Sequence, residues 1–484
     1  MKCLRVAAGV LAQTPLDWRG NARRVLSALH AARDEGVSLL CLPELCLTGY
    51  GCEDTFASAD LLRRAWELLE HVEAESRDLV VAVGLPIRYH NAVFNAAALL
   101  CDGSLLGLVA KRFLAGDGIH YEPRWFKPWE EGRRTLLRQG GREVPLGDLL
   151  FDLGGVRVGF EICEDAWVAN RPGAVLARRG VDLLLNPSAS HFAFGKRDIR
   201  RRFILEGSRA LCCSYLYANL LGNEAGRAIY DGSALLASNG HVIAEGARFS
   251  FKDWGLCVGE VDIDATRTAA ARSANSRPLL VEEGDVLRAE FAWPTRRPPL
   301  VAPALPAWEL AGSLEYEEFT RAVALGLFDY LRKSRSRGFV LSLSGGADSS
   351  TVACLVHIAV RLALSELGVE GLRGRLSYLD DLPVTEDPRA WTRRLLLCAY
   401  QATAQSSHTT LDAARAVADA VGARFVLLDV EPIVAAYIAR VAEALGRPLD
   451  WSHDDLALQN IQARARGPGV WMLANVEGAL LLAT

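Results

Sequence analysis

The stretch GFEICEDAW (159–167) sets a cysteine among carboxylates, with Glu161, Glu164 and Asp165 all within two positions of Cys163. A thiolate is the reactive form of cysteine, and neighbouring negative charge disfavours it. Cys163 is therefore either an inert thiol at a strand end or a group to which the fold brings positive charge and a base. A second chemical signal lies far along the chain, in SLSGGADSS (342–350). Two glycines and small hydroxyl residues let a backbone approach a phosphate closely, and a helix start supplies N–H donors and a positive dipole. The lysine of a Walker loop is absent. Asp348 stands where a magnesium-bound pyrophosphate would want a carboxylate. The plainer reading of the same residues is a Gly-rich turn capping a helix.

These residues need elements to hold them. Runs such as VSLLCLPE, DLVVAVGLP, VRVGFEIC, VDLLLNPS and CCSYLYANLL are short and rich in Val, Leu and Cys, which predicts buried strands. NARRVLSALHAARDEG (21–36) is an amphipathic helix closed by Gly36, and AIYDGSALLASNGHVIAEG predicts hairpins with an Asn-Gly turn at 239–240. Residues 1 to about 265 thus form an α/β domain, a sandwich of two mixed sheets with helices outside. From 266 to about 310 the composition shifts, and WPTRRPPLVAPALPAW carries five prolines, the mark of a linker. EYEEFTRAVALGLFDYLRKS then predicts a helix, and RGFVLSLSGGADSSTVACLVHIAVRLALSEL reads as strand, loop and helix opening a second α/β domain over 311–484.

Composition limits the alternatives. A chain of 484 residues, half of them hydrophobic and 23% charged, has material for two or three cores. The net charge of −4 argues against a general nucleic-acid or anionic-membrane surface. GKRDIRRRF (195–203) reads as a solvated helix start. The N-terminus lacks a signal-peptide core, and the most apolar tail, VWMLANVEGALLLAT, is broken by Asn475 and Glu477, so no membrane span is indicated. Eleven irregularly spaced cysteines without CxxC point to a reducing cytoplasm, and nine scattered histidines show no metal-ligand spacing.

The SGGADSS loop resembles the pyrophosphate loop of the adenine-nucleotide alpha hydrolases, the ATP pyrophosphatases. That resemblance implies a Rossmann-like parallel sheet and ATP contacts from Ser344, Gly345, Gly346, Asp348, Ser349 and Ser350, with Asp348 toward Mg2+. It also implies a reaction plan: an oxygen of the substrate attacks the α-phosphate of ATP, and a nucleophile, often ammonia, then displaces AMP. In the first half, CLPELCLTGYG (41–51), VAKRFL (109–114) and FEICEDAW (160–167) resemble the glutamate, lysine and cysteine motifs of the nitrilase, or carbon–nitrogen hydrolase, superfamily. This implies a four-layer α-β-β-α sandwich in which Cys163 attacks an amide, Glu44 takes the proton and Lys111 stabilises the oxyanion. Glu122 of HYEPRWF resembles an additional glutamate near that lysine. Without the resemblance, Glu44 reads as a helix cap, Lys111 as exposed and Cys163 as core.

A nitrilase-type half joined to an SGGxDS half resembles the glutamine-dependent NAD synthetase family. The resemblance implies glutamine, ATP and deamido-NAD as substrates, magnesium as activator, a homo-oligomer, and neither nucleic acid nor membrane as partner. It places Asp117, Ser190 and Lys196 at glutamine, Asn460 of NIQAR at deamido-NAD and Thr484 at ATP. Asp117 replaces the tyrosine usual in the family, and Gln459 replaces an acidic residue. Relatives continue past the position of Thr484, so the expectation is a truncated synthetase half that hydrolyses glutamine but makes little NAD by itself. Two other expectations follow from other classes: a stand-alone amidase with a vestigial second half, and a non-catalytic assembly subunit.

Overall fold

The apolar runs form strands because each has one or both faces covered. The computed structural model describes residues 2–224, 226–273, 278–279, 286–294, 306–310 and 312–484, so much of the proline-rich linker lies outside the described residues. Residues 1–318 and 319–484 form two compact units.

In the first unit, Cys3–Leu11, Leu39–Cys41 and Val80–Tyr89 are parallel neighbours in an eight-stranded sheet. Val156–Phe160, Leu183–Ser188 and Ser214–Asn219 are parallel neighbours in a seven-stranded one. Antiparallel strands flank both trios, including Ala92–Cys101 and Ser104–Ala110 in the first sheet. The two sheets pack face to face through Cys3–Leu11 against Ser214–Asn219 and Leu39–Cys41 against Leu183–Ser188. Helices Trp18–Asp34 and Ala59–Ala74 cover the outside of the first sheet, and Pro172–Arg178 and Lys196–Ala210 that of the second. This is the four-layer α-β-β-α sandwich.

Local chemistry explains the boundaries. Trp18–Asp34 starts earlier than its apolar spacing predicts because the Asp17 carboxylate accepts the Gly20 amide at 3.0 Å. Asn239 and Gly240 have φ of 49° and 84°, which join Ala234–Ser238 to His241–Glu245 in the left-handed turn the Asn-Gly pair favours.

The second unit holds four parallel strands in the spatial order Arg424–Asp429, Leu396–Ala402, Phe339–Ser342, Leu480–Leu482. The first in sequence, Phe339–Ser342, is interior and leads through the glycine loop into helix Ala347–Arg375. That order places the loop at the carboxyl edge of the sheet, where ligands bind in open α/β folds. The tail VWMLANVEGALLLAT is not one apolar run but the end of helix Asp455–Glu477 followed by Leu480–Leu482. Among the described residues, Ala347–Arg375 is the one helix whose length and composition would suffice to cross a membrane. It buries Ala353, Val356, Val360 and Leu364 and is interrupted at Gly368, where φ is 66°.

Candidate active site

Glu44 lies in the turn after Leu39–Cys41, and Lys111 directly follows Ser104–Ala110. The Glu44 turn lies tight against the neighbouring strand because residue 84 is glycine; a Cβ there would come within 2.2 Å of the Leu45 nitrogen. Glu122 opens a short 3-10 turn, Glu122–Arg124. These three side chains meet in the interior, all essentially without solvent exposure. Lys111 Nζ donates to Glu44 Oε1 at 2.6 Å and to Glu122 Oε1 at 2.8 Å. Asn95 Nδ2 donates to Glu44 Oε1 at 2.7 Å, the Tyr50 hydroxyl donates to Glu122 Oε1 at 2.9 Å, and the Ala115 amide donates to Glu122 Oε2 at 2.9 Å. Glu44 Oε2 is buried and has no hydrogen-bond partner among the described residues.

Cys163 is buried at the start of the 3-10 turn Cys163–Ala166, three residues beyond the end of Val156–Phe160, with φ of 47°. A non-glycine residue in this left-handed region is uncommon and marks a sharp turn. The surrounding carboxylates are each accounted for. Glu161 is buried against Arg171 Nε at 2.7 Å, the Tyr215 hydroxyl at 2.7 Å and the Gly173 amide at 2.8 Å. Asp165 Oδ1 accepts the amides of Arg112 at 3.1 Å and Phe113 at 2.8 Å, and Oδ2 accepts the Ile162 amide at 2.9 Å. Asp165 thereby ties the cysteine turn to the segment that carries Lys111. Glu164 is the half-exposed member of the three.

One ammonium faces two carboxylates in a site closed to water. Burial pulls the Lys111 ammonium down, but Glu122 and Glu44 together hold it well above its ordinary value. Burial pushes the Glu44 carboxyl up to about 7, with Lys111 opposing the shift and Glu122 adding to it. Burial also raises the Cys163 thiol; Glu44 adds to this, while Lys111 and the Ala189 amide oppose it. The resting site therefore holds a neutral thiol, a carboxyl raised toward neutrality and a fixed positive charge within electrostatic reach of one another.

The phosphate loop is built differently. Gly345 has φ of 81°, and a Cβ there would lie 2.2 Å from the Thr410 carbonyl oxygen, so both backbone conformation and packing require glycine. Gly346 precedes the helix Ala347–Arg375, and a Cβ on it would meet only Ser344 Oγ, at 3.4 Å. Ser349 is buried and braces the loop: its Oγ lies 3.0 Å from Ser344 Oγ and accepts the Ser344 amide at 3.2 Å. Ser344, Gly346 and Asp348 are exposed.

The carbon–nitrogen hydrolase family model matches residues 5–272, and the NAD synthase model matches residues 319–484. The chain is 31% identical to the glutamine-dependent NAD(+) synthetase of Bos taurus, spanning 98% of this chain and 70% of that protein. The Homo sapiens protein of that name is also 31% identical, with the same coverage. A crystal structure of a glutamine-dependent NAD(+) synthetase from Cytophaga hutchinsonii superimposes with a TM-score of 0.84 at 39% identity, covering 99% of this chain and 74% of that one. The chain belongs to the glutamine-dependent NAD(+) synthetase family. The Acinetobacter baumannii NAD+ synthetase, solved with adenosine diphosphate, shares the fold at 22% identity and a TM-score of 0.73, covering 100% and 74% of the two chains.

Against this synthetase framework the remaining sequence-derived residues divide. Ser190 follows Leu183–Ser188 and is buried; its Oγ has no hydrogen-bond partner among the described residues, while its amide donates to Asn219 Oδ1 at 2.8 Å. Lys196 opens helix Lys196–Ala210 with its Nζ over the Trp167 ring, 5.6 Å from the centroid. Asp117 is exposed on the loop between Lys111 and Glu122. Thr484 follows the strand paired with Phe339–Ser342, at the loop's edge of the sheet. Asn460 is exposed on helix Asp455–Glu477, its Oδ1 accepting from Arg464 at 3.4 Å. Ser350 lies in the first turn, its amide donating to the Gly346 carbonyl at 3.1 Å.

Sequence reasoning missed Asn95, Tyr50 and the tying role of Asp165. Asn95 carried a usable signal, as the lone amide in the otherwise apolar strand Ala92–Cys101. Buried polar groups need partners, so such a residue points at another polar group in the core.

Proposed function

We propose that the chain hydrolyses glutamine at Cys163 and uses the ammonia to amidate ATP-adenylated deamido-NAD, giving NAD, AMP, pyrophosphate and glutamate. The observation that carries the first half is Lys111 buried between Glu44 and Glu122 beside a cysteine turn. Cys163 Sγ attacks the side-chain amide carbon as its proton passes to Glu44, and Lys111 balances the charge developing on the amide oxygen. Glu44 returns the proton to the departing nitrogen, leaving a γ-glutamyl thioester and ammonia. Water, deprotonated by the same carboxylate, then splits the thioester to glutamate and free thiol. Ser190, Lys196 and Asp117 serve as glutamine contacts; the unpartnered Ser190 Oγ supports this for the first of them.

The second half uses the amides of the Ser344–Ser350 loop for the ATP phosphates, with Thr484 at the nucleotide and Asn460 at deamido-NAD. The described residues contain no group of three or more potential metal ligands. A magnesium ion fits here only as one held mainly by phosphates and water, with Asp348 as the protein's contribution. Residues 1–265 are the glutaminase domain and 311–484 the nucleotide domain, with 266–310 between them. All eleven cysteines are free thiols, which supports a reducing, cytoplasmic setting. A homo-oligomer is supported by the exposed stripe Ile433, Tyr437, Val441 and Leu445 at four-residue spacing. The test is amide-15N-labelled glutamine supplied with Mg-ATP and deamido-NAD. Labelled NAD is the expected product, in place of the little NAD expected from the sequence; glutamate without NAD would reduce the reading to an amidase, and neither product would overturn it.

A further inference from the structure

A chain of ring and hydroxyl contacts runs from Lys196 back to Glu122 and enters none of the steps above. His191 Nδ1 lies 3.2 Å from Lys196 Nζ and 2.8 Å from His120 Nε2, and His120 Nδ1 lies 3.2 Å from the Tyr50 hydroxyl that also donates to Glu122. The two imidazole centroids are 4.8 Å apart with an interplanar angle of 51°. An ammonium only donates, so contact with Lys196 requires an unprotonated Nδ1 on His191. For His191 the contact thus assigns the Nε2–H tautomer, with the Nδ1 lone pair toward Lys196.

We propose that His191, braced from behind by His120, is a positioning residue that holds the Lys196 ammonium at the mouth of the glutaminase site, ready for the carboxylate of the incoming amino acid. The proposal rests on the reading of Lys196 as a glutamine contact. Lys196 has no anionic hydrogen-bond partner among the described residues; its close contacts are the His191 nitrogen and the Trp167 face. A flexible lysine held only by a neutral acceptor and a ring is fixed in place without being neutralised. A carboxylate partner would instead compete with the substrate. The rings suit this role because they stay neutral. Burial pushes His191 down to about 4, reinforced by Lys196 and Arg200 and opposed by Asp231. Burial likewise pushes His120 down to about 3, reinforced by His191, Lys196 and Lys111. The arrangement favours substrates with a free carboxylate over plain amides.

The experiment is a double-mutant cycle on glutamine hydrolysis with Lys196→Met, His191→Phe and the pair, using the full chain and thermal melts to verify folding. Loss of one hydrogen bond to a charged group corresponds to a KM increase of about tenfold for His191→Phe, with kcat changed far less. Because His191 acts through Lys196, the double variant should be no worse than Lys196→Met alone. His191→Asn, whose amide oxygen can replace Nδ1 as acceptor, should recover most of the loss. An unchanged KM in His191→Phe, multiplicative losses in the double variant, or failure of asparagine to rescue would overturn the proposal. Should His191→Phe not fold, His191→Asn and His191→Ala are compared in its place. Absence of glutamine hydrolysis in the parent chain would instead refute the glutaminase reading itself.

Discussion

At Cys163 the ionisable groups of the proposed chemistry are buried and already paired, whereas at Ser344–Ser350 the chain offers an exposed loop of backbone amides with one exposed carboxylate. The contrast follows from where the charge comes from. Amide hydrolysis begins with neutral glutamine, so the protein must supply a base and a positive charge, and both are stronger away from water. A nucleotide brings its own negative charge, so the second centre needs open space and oriented N–H groups more than ionised side chains. The first centre is consequently intolerant of side-chain chemistry and the second of added Cβ atoms.

Substitutions at the two centres should separate these sensitivities. Cys163→Ala should bring glutamine hydrolysis to background while leaving ATP affinity unchanged, measured by glutamate release and by nucleotide titration. Residual turnover would move the nucleophile elsewhere. Lys111→Met should cost on the order of 10²–10³ in kcat, the scale for losing one oxyanion stabiliser. It also leaves two buried carboxylates without their counter-charge, so a melt must show that the variant is folded at the assay temperature.

The comparison extends to pH. As the proposed base, Glu44 would act only when ionised, and burial pushes its carboxyl up to about 7. Glutaminase kcat/KM should therefore rise as pH increases through about 7 and fall below it. Nucleotide binding at the glycine loop should show no matching limb. A flat glutaminase profile between pH 6 and 8 would remove Glu44 as the base.

Within the loop, the two glycines should part company. Gly345→Ala should lower the melting temperature, because strain at a positive φ costs about 1–3 kcal/mol and the Thr410 carbonyl leaves no room. Gly346→Val should leave the melting temperature nearly unchanged and weaken ATP by about tenfold, since the added atoms would occupy phosphate space. The smallest effect belongs to Asp348→Asn, a few-fold loss of affinity seen with magnesium and absent without it. Equal nucleotide affinity in all three variants would make the loop a helix cap.

Much of this is legible in the sequence. The strand ends carrying Glu44 and Cys163 followed from short apolar runs, the one before Lys111 only from the family resemblance, and the Asn239–Gly240 turn and the Gly346 helix start followed from residue type. Other expectations needed the structure. Whether Glu161 shares a face with Cys163 depended on where the strand stops. It stops at Phe160, and Glu161 pairs with Arg171 and Tyr215. Ser349 reads as a phosphate contact in the motif, yet its hydroxyl is occupied in bracing the loop.

The sequence alone determined the alternation of elements, the order of the motifs and the residues that local backbone geometry demands. These depend on interactions across a few neighbouring positions, which residue type largely dictates. Only the tertiary structure decided that Lys111 is shared by Glu44 and Glu122, that Asp165 binds the amides of Arg112 and Phe113, and that His120 meets His191. Each of these contacts joins residues far apart in the chain. Their strength comes from desolvation, and desolvation belongs to the packed sandwich rather than to any segment of it.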